Sequence, residues 1–507
     1  MSNSAPAVIG IDYGTHATKV AIITKTGMAK SIVFDDGNSM MPTAAYFDAQ
    51  GNVIIGSEAI NLGMIDPANL VRNAKRYMGT DEVLHTSQDG KTWLPQNIAQ
   101  LFIEAAKKAA ENETGLIHRY AVVSVPANYT DEQKEATISA AKLVGFEEVH
   151  LIHEPTSAMF AYCSNTERNV PDGIRLVCDE GGGTLDISVV SKSGNRFEVK
   201  TTNGVPKLGG MDYTRALVDE IIIRFEDKTG EQITQDTHAE TFADLWRRAE
   251  ECKFKLNRSE SVNISVITDE NKAAFPFTQN DMRRVCRPLL DQMIACVKKT
   301  LDEASVSIEE VIELVPIGGG SQLFCVLEAL EKFYGKPLSK GDALHCVSQG
   351  AALKGWESKG HVQVDEGIFL PSRGILLRDV TAHALGIRAL NSEGHQVFTV
   401  ILQKSVPMPS KITKEFTLGE EGATDAVVEI LQGDAGQNVD TCLSLGTFEL
   451  NGLQPLYGQP HRIMVEFNID ANGLLTATAF DPIGGQSADL QLHYNKSSET
   501  TLEGVTQ

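Results

Sequence analysis

The sequence predicts an α/β fold made of two related lobes, followed by a compact antiparallel β domain. Up to about residue 360, short β-branched runs alternate with helix-length stretches such as 98–112 and 132–143, which is typical of α/β folds. One motif occurs twice in that part, which indicates two lobes of the same design. From about residue 380, short apolar runs follow one another without a helix-length pattern between them, as in antiparallel β domains.

The repeated motif is an apolar strand, an aspartate, a glycine turn with a threonine, and a returning strand. It occupies residues 9–23, beginning IGIDYGT, and again residues 176–190, beginning LVCDEGGGT. A glycine turn can present consecutive backbone N–H groups to an anion, because no Cβ blocks close approach. Two such turns could hold one polyphosphate, with Asp12 and Asp179 beside it and Mg²⁺ between the charges. Either turn alone is equally well explained as an ordinary hairpin.

Two further glycine turns precede predicted helices, at 208–212 (LGGMD) and 317–321 (IGGGS). A helix N-terminus with open glycine backbone suits a nucleoside or its α-phosphate. Each of these turns, taken in isolation, is also explained as the simple start of a helix.

The β domain is predicted from seven strand-like runs separated by turn signals such as 419–422 and 470–473. These runs are 397–402, 411–418, 427–431, 443–450, 462–469, 474–480 and 489–494. Residues 358–374, rich in glycine, serine and charge, predict a linker that ends in the apolar segment 375–377.

Composition excludes several classes of protein. The chain of 507 residues has 45 Lys and Arg against 67 Asp and Glu, a net charge of −22, which argues against binding to nucleic-acid backbones. No apolar run approaches the roughly 20 residues that span a bilayer. The eight cysteines lack zinc-ligand or disulfide spacing. We therefore expect a soluble cytoplasmic protein without nucleic-acid or membrane partners.

Together with further phrases, these motifs resemble the DnaK-type (seventy-kilodalton heat-shock protein) chaperone family over nearly the whole chain. The matching phrases include 75–79 (KRYMG), 121–127 (AVVSVPA), 154–158 (EPTSA) and, beyond the linker, 376–381 (LLRDVT) and 431–433 (LQG). The resemblance implies a two-lobed, actin-like and DnaK-like ATPase domain in residues 1–365, an interdomain linker in 366–380 and a β-sandwich substrate-binding domain in 381–507. It also implies ATP or ADP with Mg²⁺ as ligands, and K⁺ as a further candidate.

By resemblance, Lys75 would reach the γ-phosphate and Glu154 would orient or deprotonate the attacking water, with Thr184 in phosphate contact. Such chemistry needs positive charge on the γ-oxygens and one positioned water. The resemblance assigns Asp12 and Asp179 to the Mg²⁺ shell. The complete set of implied nucleotide contacts is Asp12, Gly14, Thr15, His16, Asp179, Gly181, Gly182, Gly183, Gly209, Gly210, Glu250, Lys253, Phe254, Asn257, Gly318, Gly319, Gly320 and Gln322.

Several positions depart from the family pattern. Phe254 and Gln322 flank the expected adenine site, where relatives commonly carry an aliphatic residue or arginine at the first position and arginine at the second, so weaker adenine affinity is expected. Glu180 puts a carboxylate next to the phosphate turn, with its side chain facing either way on the strand. His150 replaces an arginine that meets J-domain partners in relatives, and segment 75–126 is shorter than usual.

The resemblance also implies a peptide groove in the β domain, where an apolar cleft beside strand edges would hold extended peptides. The groove residues are Ile387, Ala389, Leu390, Phe416, Gly419, Ala426 and Val428. About half of them are equally well explained as sandwich core. Ala426 implies a roomy central pocket, and the chain stops where the family's helical lid would begin.

The leading hypothesis is an ATP-hydrolysing chaperone whose nucleotide state controls peptide binding. Its expected partners are unfolded or extended polypeptides, a J-domain cochaperone and a nucleotide exchange factor. The alternative is a nucleotide-bound regulator with little hydrolysis, resembling the exchange-factor relatives, which the changes at His16, Glu180 and Gln322 motivate. An actin-like filament or a small-molecule kinase is disfavoured, because neither explains the β domain.

Overall fold

The structure is a computed structural model that describes residues 6–164, 170–234 and 237–491. Its order of elements agrees with the predicted class, with mixed α/β sheets first and antiparallel sheets after residue 380. The predicted helices 98–112 and 132–143 are confirmed, and each extends one to three residues further at one or both ends.

Residues 6–164 form a mixed sheet covered by helices. The strands are β1 (Val8–Tyr13), β2 (Ala17–Ile23), β3 (Ala29–Ser31), β4 (Met41–Pro42), β5 (Ala44–Phe47), β6 (Val53–Ile55), β7 (Leu70–Arg72), β8 (His85–Thr86), β9 (Thr92–Trp93), β10 (Tyr120–Val125) and β11 (Glu148–His153). The helices are α1 (Ser57–Gly63), α2 (Pro95–Thr114), α3 (Asp131–Leu143) and α4 (Glu154–Ser164). The main sheet has the order β11-β10-β1-β2-β3, in which β1 runs parallel to β10 and antiparallel to β2.

Residues 170–359 repeat that design. The strands are β12 (Gly173–Glu180), β13 (Leu185–Ser193), β14 (Arg196–Val205), β15 (Ser261–Ile267), β16 (Lys272–Thr278) and β17 (Val311–Ile317). The helices are α5 (Gly210–Thr229), α6 (Ala239–Lys255), α7 (Gln279–Val285), α8 (Arg287–Ala304), α9 (Phe324–Tyr334) and α10 (Cys346–Lys359). Here β12 runs parallel to β17 and antiparallel to β13, as β1 does with β10 and β2.

The remaining residues are extended. The strands are β18 (His361–Asp365), β19 (Ile368–Pro371), β20 (Leu376–Arg378), β21 (Ala384–Leu390), β22 (Gln396–Leu402), β23 (Ser410–Thr417), β24 (Asp425–Gly433), β25 (Leu443–Asn451), β26 (Arg462–Ile469), β27 (Leu475–Phe480) and β28 (Ser487–Gln491). The predicted strands from 397 onward are confirmed, except that 492–494 lie outside the described residues. The sequence analysis missed β21.

The prediction of a plain linker over 358–374 needs correction. Helix α10 continues to Lys359, and β18 and β19 then pair as a hairpin. The reason is a short alternation that the glycine-rich composition obscured, in which Val362 and Val364 are buried against the core of the first sheet. Only the following stretch remains free of regular structure, until β20 adds to the edge strand β14 of the second sheet.

The antiparallel part consists of two four-stranded sheets, with the orders β22-β21-β24-β25 and β23-β26-β27-β28. Residues from both sheets form one buried apolar cluster, including Ile387, Val428, Val465 and Phe467. Alternation of buried and exposed residues along β24 and β26 gives each strand one face toward this cluster.

The antiparallel part contacts the α/β part directly. The Lys134 ammonium donates to the carbonyl of Gly473 at 2.7 Å, and the Asp131 carboxylate accepts from the Leu475 N–H at 3.0 Å. Lys404 lies 2.8 Å from Glu303 on the other side of this contact. Asp131 and Lys134 are almost fully buried, so these polar bonds are shielded from water.

Candidate functional site

A cavity of about 380 Å³ lies where the two α/β sheets face each other. It is lined by the β1–β2 and β12–β13 turns, the start of α5, one face of α6 and the segment after β17. The predicted residues that line it are Asp12, Gly14, Thr15, His16, Lys75, Glu154, Asp179, Gly181, Gly182, Thr184, Gly210, Glu250, Lys253, Phe254, Gly318, Gly319, Gly320 and Gln322. Gly183, Gly209 and Asn257 do not line it.

The two repeated glycine turns touch each other at the base of the cavity. A Cβ added at Gly182 would lie 2.8 Å from the His16 Cβ, and one at Gly183 would lie 2.8 Å from the Thr15 hydroxyl oxygen. These distances are shorter than real Cβ contacts, so side chains at either glycine would force the turns apart. The glycines therefore permit backbone from both sheets to reach one ligand.

The other two glycine turns pack against the same place. A Cβ at Gly209 would lie 2.7 Å from the Gly183 nitrogen, and the Gly210 N–H donates to the Gly181 carbonyl at 2.9 Å. Gly318 has a φ of 80°, and a Cβ there would lie 2.4 Å from the Glu180 carbonyl oxygen. Gly183 and Gly209 thus serve the contact between turns, which explains why they do not line the cavity.

Lys75 and Glu154 form a buried ion pair inside the cavity. The Lys75 ammonium lies 2.5 Å from a carboxylate oxygen of Glu154, and both side chains are about 90% or more buried. Burial lowers the pKa of Lys75, but Glu154 and Asp12 raise it above its usual value. Burial raises the pKa of Glu154, which Lys75 opposes. The pair places an ammonium and a carboxylate side by side, as phosphoryl transfer to water requires.

Each hairpin places a residue opposite its aspartate on the neighbouring strand. Asp12 is paired in register with Lys19, and Asp179 with Asp186. The Lys19 ammonium lies 2.6 Å from Asp12, whereas Asp179 and Asp186 each keep one buried oxygen without a hydrogen-bond partner among the described residues. Burial raises the pKa of Asp179 well above its usual value, and Glu154 and Asp186 add to this. Burial likewise raises the pKa of Asp186 to about 8.

The opposite end of the cavity is formed by α6. Glu250 lies 3.7 Å from His16 and 3.6 Å from Arg72, so it links the two α/β sheets across the opening. Burial lowers the pKa of Lys253 to about 8, and its ammonium donates to the Gly210 carbonyl at 2.7 Å. The Phe254 ring is half exposed at the rim, where a flat base could stack on it.

Asn257 makes two hydrogen bonds to backbone beside the cavity, and its expected nucleoside contact stays a prediction. Its amide nitrogen donates to the Gln322 carbonyl at 3.1 Å, and its amide oxygen accepts from the Phe324 N–H at 3.0 Å. These bonds hold the start of α9 beside the end of α6. The Gln322 side chain donates to the Ser321 hydroxyl at 3.0 Å. The weaker adenine affinity expected from this position stays a prediction.

Sequence reasoning missed several residues of the site. Lys19, Met40, Leu344 and Val347 also line the cavity. Arg76 bridges the turns from outside, donating to the Gly183 carbonyl at 2.8 Å and to Asp212 at 2.6 Å. Lys19 was detectable, because it stands in the first hairpin at the position that Asp186 occupies in the second.

The donor set fits a nucleotide with Mg²⁺. Open glycine backbone and Lys75 suit phosphate oxygens, and the orphaned oxygen of Asp179 suits a cation held largely through water. No cluster of three or more His, Cys, Asp or Glu side chains that could hold a metal alone occurs in residues 6–164, 170–234 and 237–491.

The predicted peptide-groove residues divide into two groups. Ile387, Ala426 and Val428 are buried in the cluster between the antiparallel sheets, and Ala389 and Phe416 are partly buried against it. Leu390 and Gly419 are exposed, and a Cβ at Gly419 would lie 3.8 Å from a methyl group of Leu390. The loops after β21 and β23 thus approach each other beside the buried group.

A model of the Hsp70 protein family matches residues 8–504 of this chain. The chain belongs to the Hsp70 family. It is also 30% identical to the chaperone protein DnaK of Methanothermobacter thermautotrophicus over 508 residues, which covers 98% of this chain and 82% of that protein. As an Hsp70-type protein, the chain is an ATP-dependent molecular chaperone. The family binds ATP or ADP with Mg²⁺, hydrolyses ATP, and acts on unfolded polypeptides with cochaperones.

None of the helices in the described part of the Hsp70-type chain is long and apolar enough to cross a bilayer.

The structure shows which way the side chain of Glu180 faces, which the sequence had left open. Its side chain points away from the cavity and is fully buried beside Tyr213. Burial raises the pKa of Glu180 to about 7, while the neighbouring Tyr213 hydroxyl lowers it.

Replacing Glu180 with Gln should stabilise the protein at alkaline pH more than at acidic pH. The carboxyl has a pKa of about 7 when folded against 4.5 when exposed, so ionisation favours the unfolded chain. The resulting loss of folding free energy is absent below pH 4.5 and complete above about pH 7, where it reaches about 3 kcal/mol. Denaturant unfolding at several pH values measures it, with the exposed Glu82→Gln as control. A pH-independent difference between Glu180→Gln and the unmodified protein would contradict the burial of a titrating carboxyl.

Proposed function

We propose that this chain hydrolyses Mg-ATP slowly in the cavity between its α/β sheets, and that the nucleotide state controls peptide binding by the antiparallel part. The observation that carries the proposal is the convergence of four glycine turns, Lys75 and Glu154 on one cavity. Residues 1–365 would form a two-lobed ATPase domain, 366–380 the connection, and 381–507 a β-sandwich that binds substrate. The cytoplasmic location expected from the sequence stays a prediction.

Lys75 and Glu154 would divide the work of hydrolysis. A γ-phosphate that enters the cavity competes with Glu154 for the Lys75 ammonium, which lies 2.5 Å from Glu154 in its absence. Moving Lys75 onto phosphate would free the Glu154 carboxylate to orient a water and accept its proton. Thr15 and Thr184, on the two facing turns, would donate hydroxyl hydrogen bonds to the phosphates. Mg²⁺, ordered by Asp12 and Asp179, would supply further charge neutralisation.

One observation favours the alternative of a nucleotide-bound regulator with little hydrolysis. Glu154 and Asp12 are each already paired with an ammonium, from Lys75 and Lys19 respectively. A carboxylate that stays paired is a poor base for water. Single-turnover hydrolysis by the unmodified protein separates the two functions, since only the ATPase releases phosphate from bound ATP within minutes.

Replacing Lys75 with Met should lower the single-turnover rate by at least about 100-fold, because a cation on the γ-phosphate acts mainly in the transition state. The dissociation constant for ATP should change by no more than about fivefold. Glu154→Gln should lower the rate comparably, and the exposed Lys108→Met serves as the control. Rapid-quench assays with folded, nucleotide-loaded protein give the rate. Undiminished turnover in Lys75→Met would refute this assignment.

The connection between the two parts would act through two contacts. Leu377 on β20 is partly buried beside Phe197 and Trp356, whereas Leu376 on the same strand is 57% exposed. Nδ1 of His153 lies 3.0 Å from the Asp379 carboxylate, next to the proposed base Glu154 in the chain. A movement of Glu154 would therefore be transmitted to the connection through His153 and Asp379.

Replacing Leu377 with Asp should abolish the stimulation of hydrolysis by peptide and leave the basal rate within about twofold, because a charge cannot stay in an apolar contact. Leu376→Asp is the matched control, since this neighbour faces solvent and should keep most of the stimulation. Steady-state phosphate release with and without a leucine-rich peptide measures both. Equal effects of the two variants would argue against β20 as the coupling element. A complete lack of stimulation in the unmodified protein would argue against coupling itself.

The peptide site would lie between the loops that follow β21 and β23, over Ala426 and Val428. Ala426 is 9% exposed and Val428 is 3% exposed on the face of β24 that points to the apolar cluster. The intervening Val427 is 68% exposed on the other face. A small side chain at Ala426 leaves room for one aliphatic side chain of an extended peptide.

Replacing Ala426 with Phe should weaken binding of a leucine-rich peptide by at least about tenfold by filling this pocket. Val427→Phe places the same phenyl ring on the opposite face of β24 and should leave the affinity unchanged. Fluorescence anisotropy with a labelled peptide gives both affinities, and thermal melting confirms that both variants are folded. Unaltered binding by folded Ala426→Phe would place the peptide site elsewhere.

A further inference from the structure

Lys19 is a cation built into the floor of the cavity. Its neighbours on β2, Thr18 and Val20, are fully buried, while Lys19 projects from the opposite face of the strand into the cavity. Its ammonium lies 2.6 Å from an oxygen of Asp12, its register partner on β1, and its side chain is 15% exposed. The other Asp12 oxygen lies 3.4 Å from the Ser124 hydroxyl. Lys19 therefore reaches the aspartate that was expected to order Mg²⁺.

In the two hairpins, the register partner of the aspartate carries opposite charge. The residue seven places after the aspartate is Lys19 in the first hairpin and Asp186 in the second. Asp179 and Asp186 are register partners with one partnerless oxygen each among the described residues, so that hairpin offers oxygens to an external cation. The first hairpin has its own. The Lys19 ammonium neutralises Asp12, so only the second hairpin is left to bind an external cation.

We propose that Lys19 is a phosphate-binding residue of the nucleotide site, and that it takes over part of the charge neutralisation by Mg²⁺. Nucleotide binding should therefore depend only weakly on Mg²⁺. This inference rests on the proposed nucleotide function of the cavity. It concerns binding, so it does not depend on whether bound ATP is hydrolysed.

Two physical arguments support this role. An ammonium inside a low-dielectric cavity attracts a polyphosphate strongly, because few waters screen the interaction. A fixed cation beside Asp12 also repels a divalent ion from the same carboxylate, so Lys19 should weaken Mg²⁺ binding while it strengthens binding of metal-free nucleotide. A lysine that served only to hold the hairpin together would affect stability and neither of these affinities.

Isothermal titration calorimetry with ADP, in excess Mg²⁺ and in excess EDTA, tests the inference. The unmodified protein should lose less than about tenfold in affinity when Mg²⁺ is removed. In Mg²⁺, the ADP affinity of Lys19→Gln should lie within about threefold of that of the unmodified protein. In EDTA, its ADP affinity should be at least about 30-fold lower than that of the unmodified protein. Gln keeps a hydrogen bond to Asp12 without the charge. Lys19→Arg keeps the charge and should resemble the unmodified protein.

Lys25→Met is the matched control, because Lys25 follows β2 at the surface, where it pairs with Asp365 outside the cavity. Lys19→Met is the second uncharged variant, for use if Lys19→Gln does not fold by thermal melting. A titration of Mg²⁺ into the ADP complex adds a second readout. The uncharged variants should bind Mg²⁺ more tightly than the unmodified protein.

The outcomes separate the two proposals. If the uncharged variants lose no more affinity in EDTA than the unmodified protein, or if Mg²⁺ binds them no more tightly, Lys19 does not act on the phosphates and this inference is overturned. The proposed function would then stand, because binding in Mg²⁺ would be intact. If the unmodified protein binds no nucleotide even in Mg²⁺, the proposed function fails and this inference fails with it.

Discussion

The close approach of two glycine turns is the constraint on which the site depends. Gly182 and Gly183 leave no room for a Cβ between the β12–β13 turn and the β1–β2 turn, which belongs to a different sheet. Gly209 and Gly318 likewise leave no room for a Cβ where the segments before α5 and after β17 pack against the β12–β13 turn. Because backbone meets backbone here, charged side chains from both sheets are forced into one small volume. The cavity exists because these glycines cannot be replaced without separating the sheets.

Charge is the second constraint, and it follows from the first. Asp12, Glu154 and Asp179 line this volume together with Lys19 and Lys75, and Asp186 is buried beside Asp179. The pKa values of Glu154, Asp179 and Asp186 are all raised, because burial disfavours their charged forms. A buried excess of carboxylate is unfavourable unless a ligand brings its own cation. A metal-bound polyphosphate meets this demand, whereas a free polyphosphate needs the lysines.

The sequence was informative wherever local pattern decides structure. The hairpin repeat, the strand alternation after residue 396 and most of the glycine turns could be predicted, because each depends on residues close in the chain. The hairpin over 361–371 and the role of Asn257 could not, since they depend on burial by distant segments and on a backbone partner from α9. Lys19 is not part of the repeated motif, because the second hairpin has Asp186 at the same position. Similarity between the two hairpins therefore does not reveal it.

In the proposed nucleotide site, the changes around the cavity would shift binding energy from the nucleoside end toward the phosphate end. At the expected nucleoside end, the resemblance places an aliphatic residue or arginine at Phe254 and arginine at Gln322, so planar cationic contacts to a base would be lost. At the phosphate end, Lys19 adds an ammonium that acts on any nucleotide alike. A stacking ring discriminates weakly among bases, while a fixed cation discriminates by the number and position of phosphates. The proposed site would thus report which phosphates are bound, and His153 next to Glu154 lies beside the connection that would carry this report to the antiparallel part.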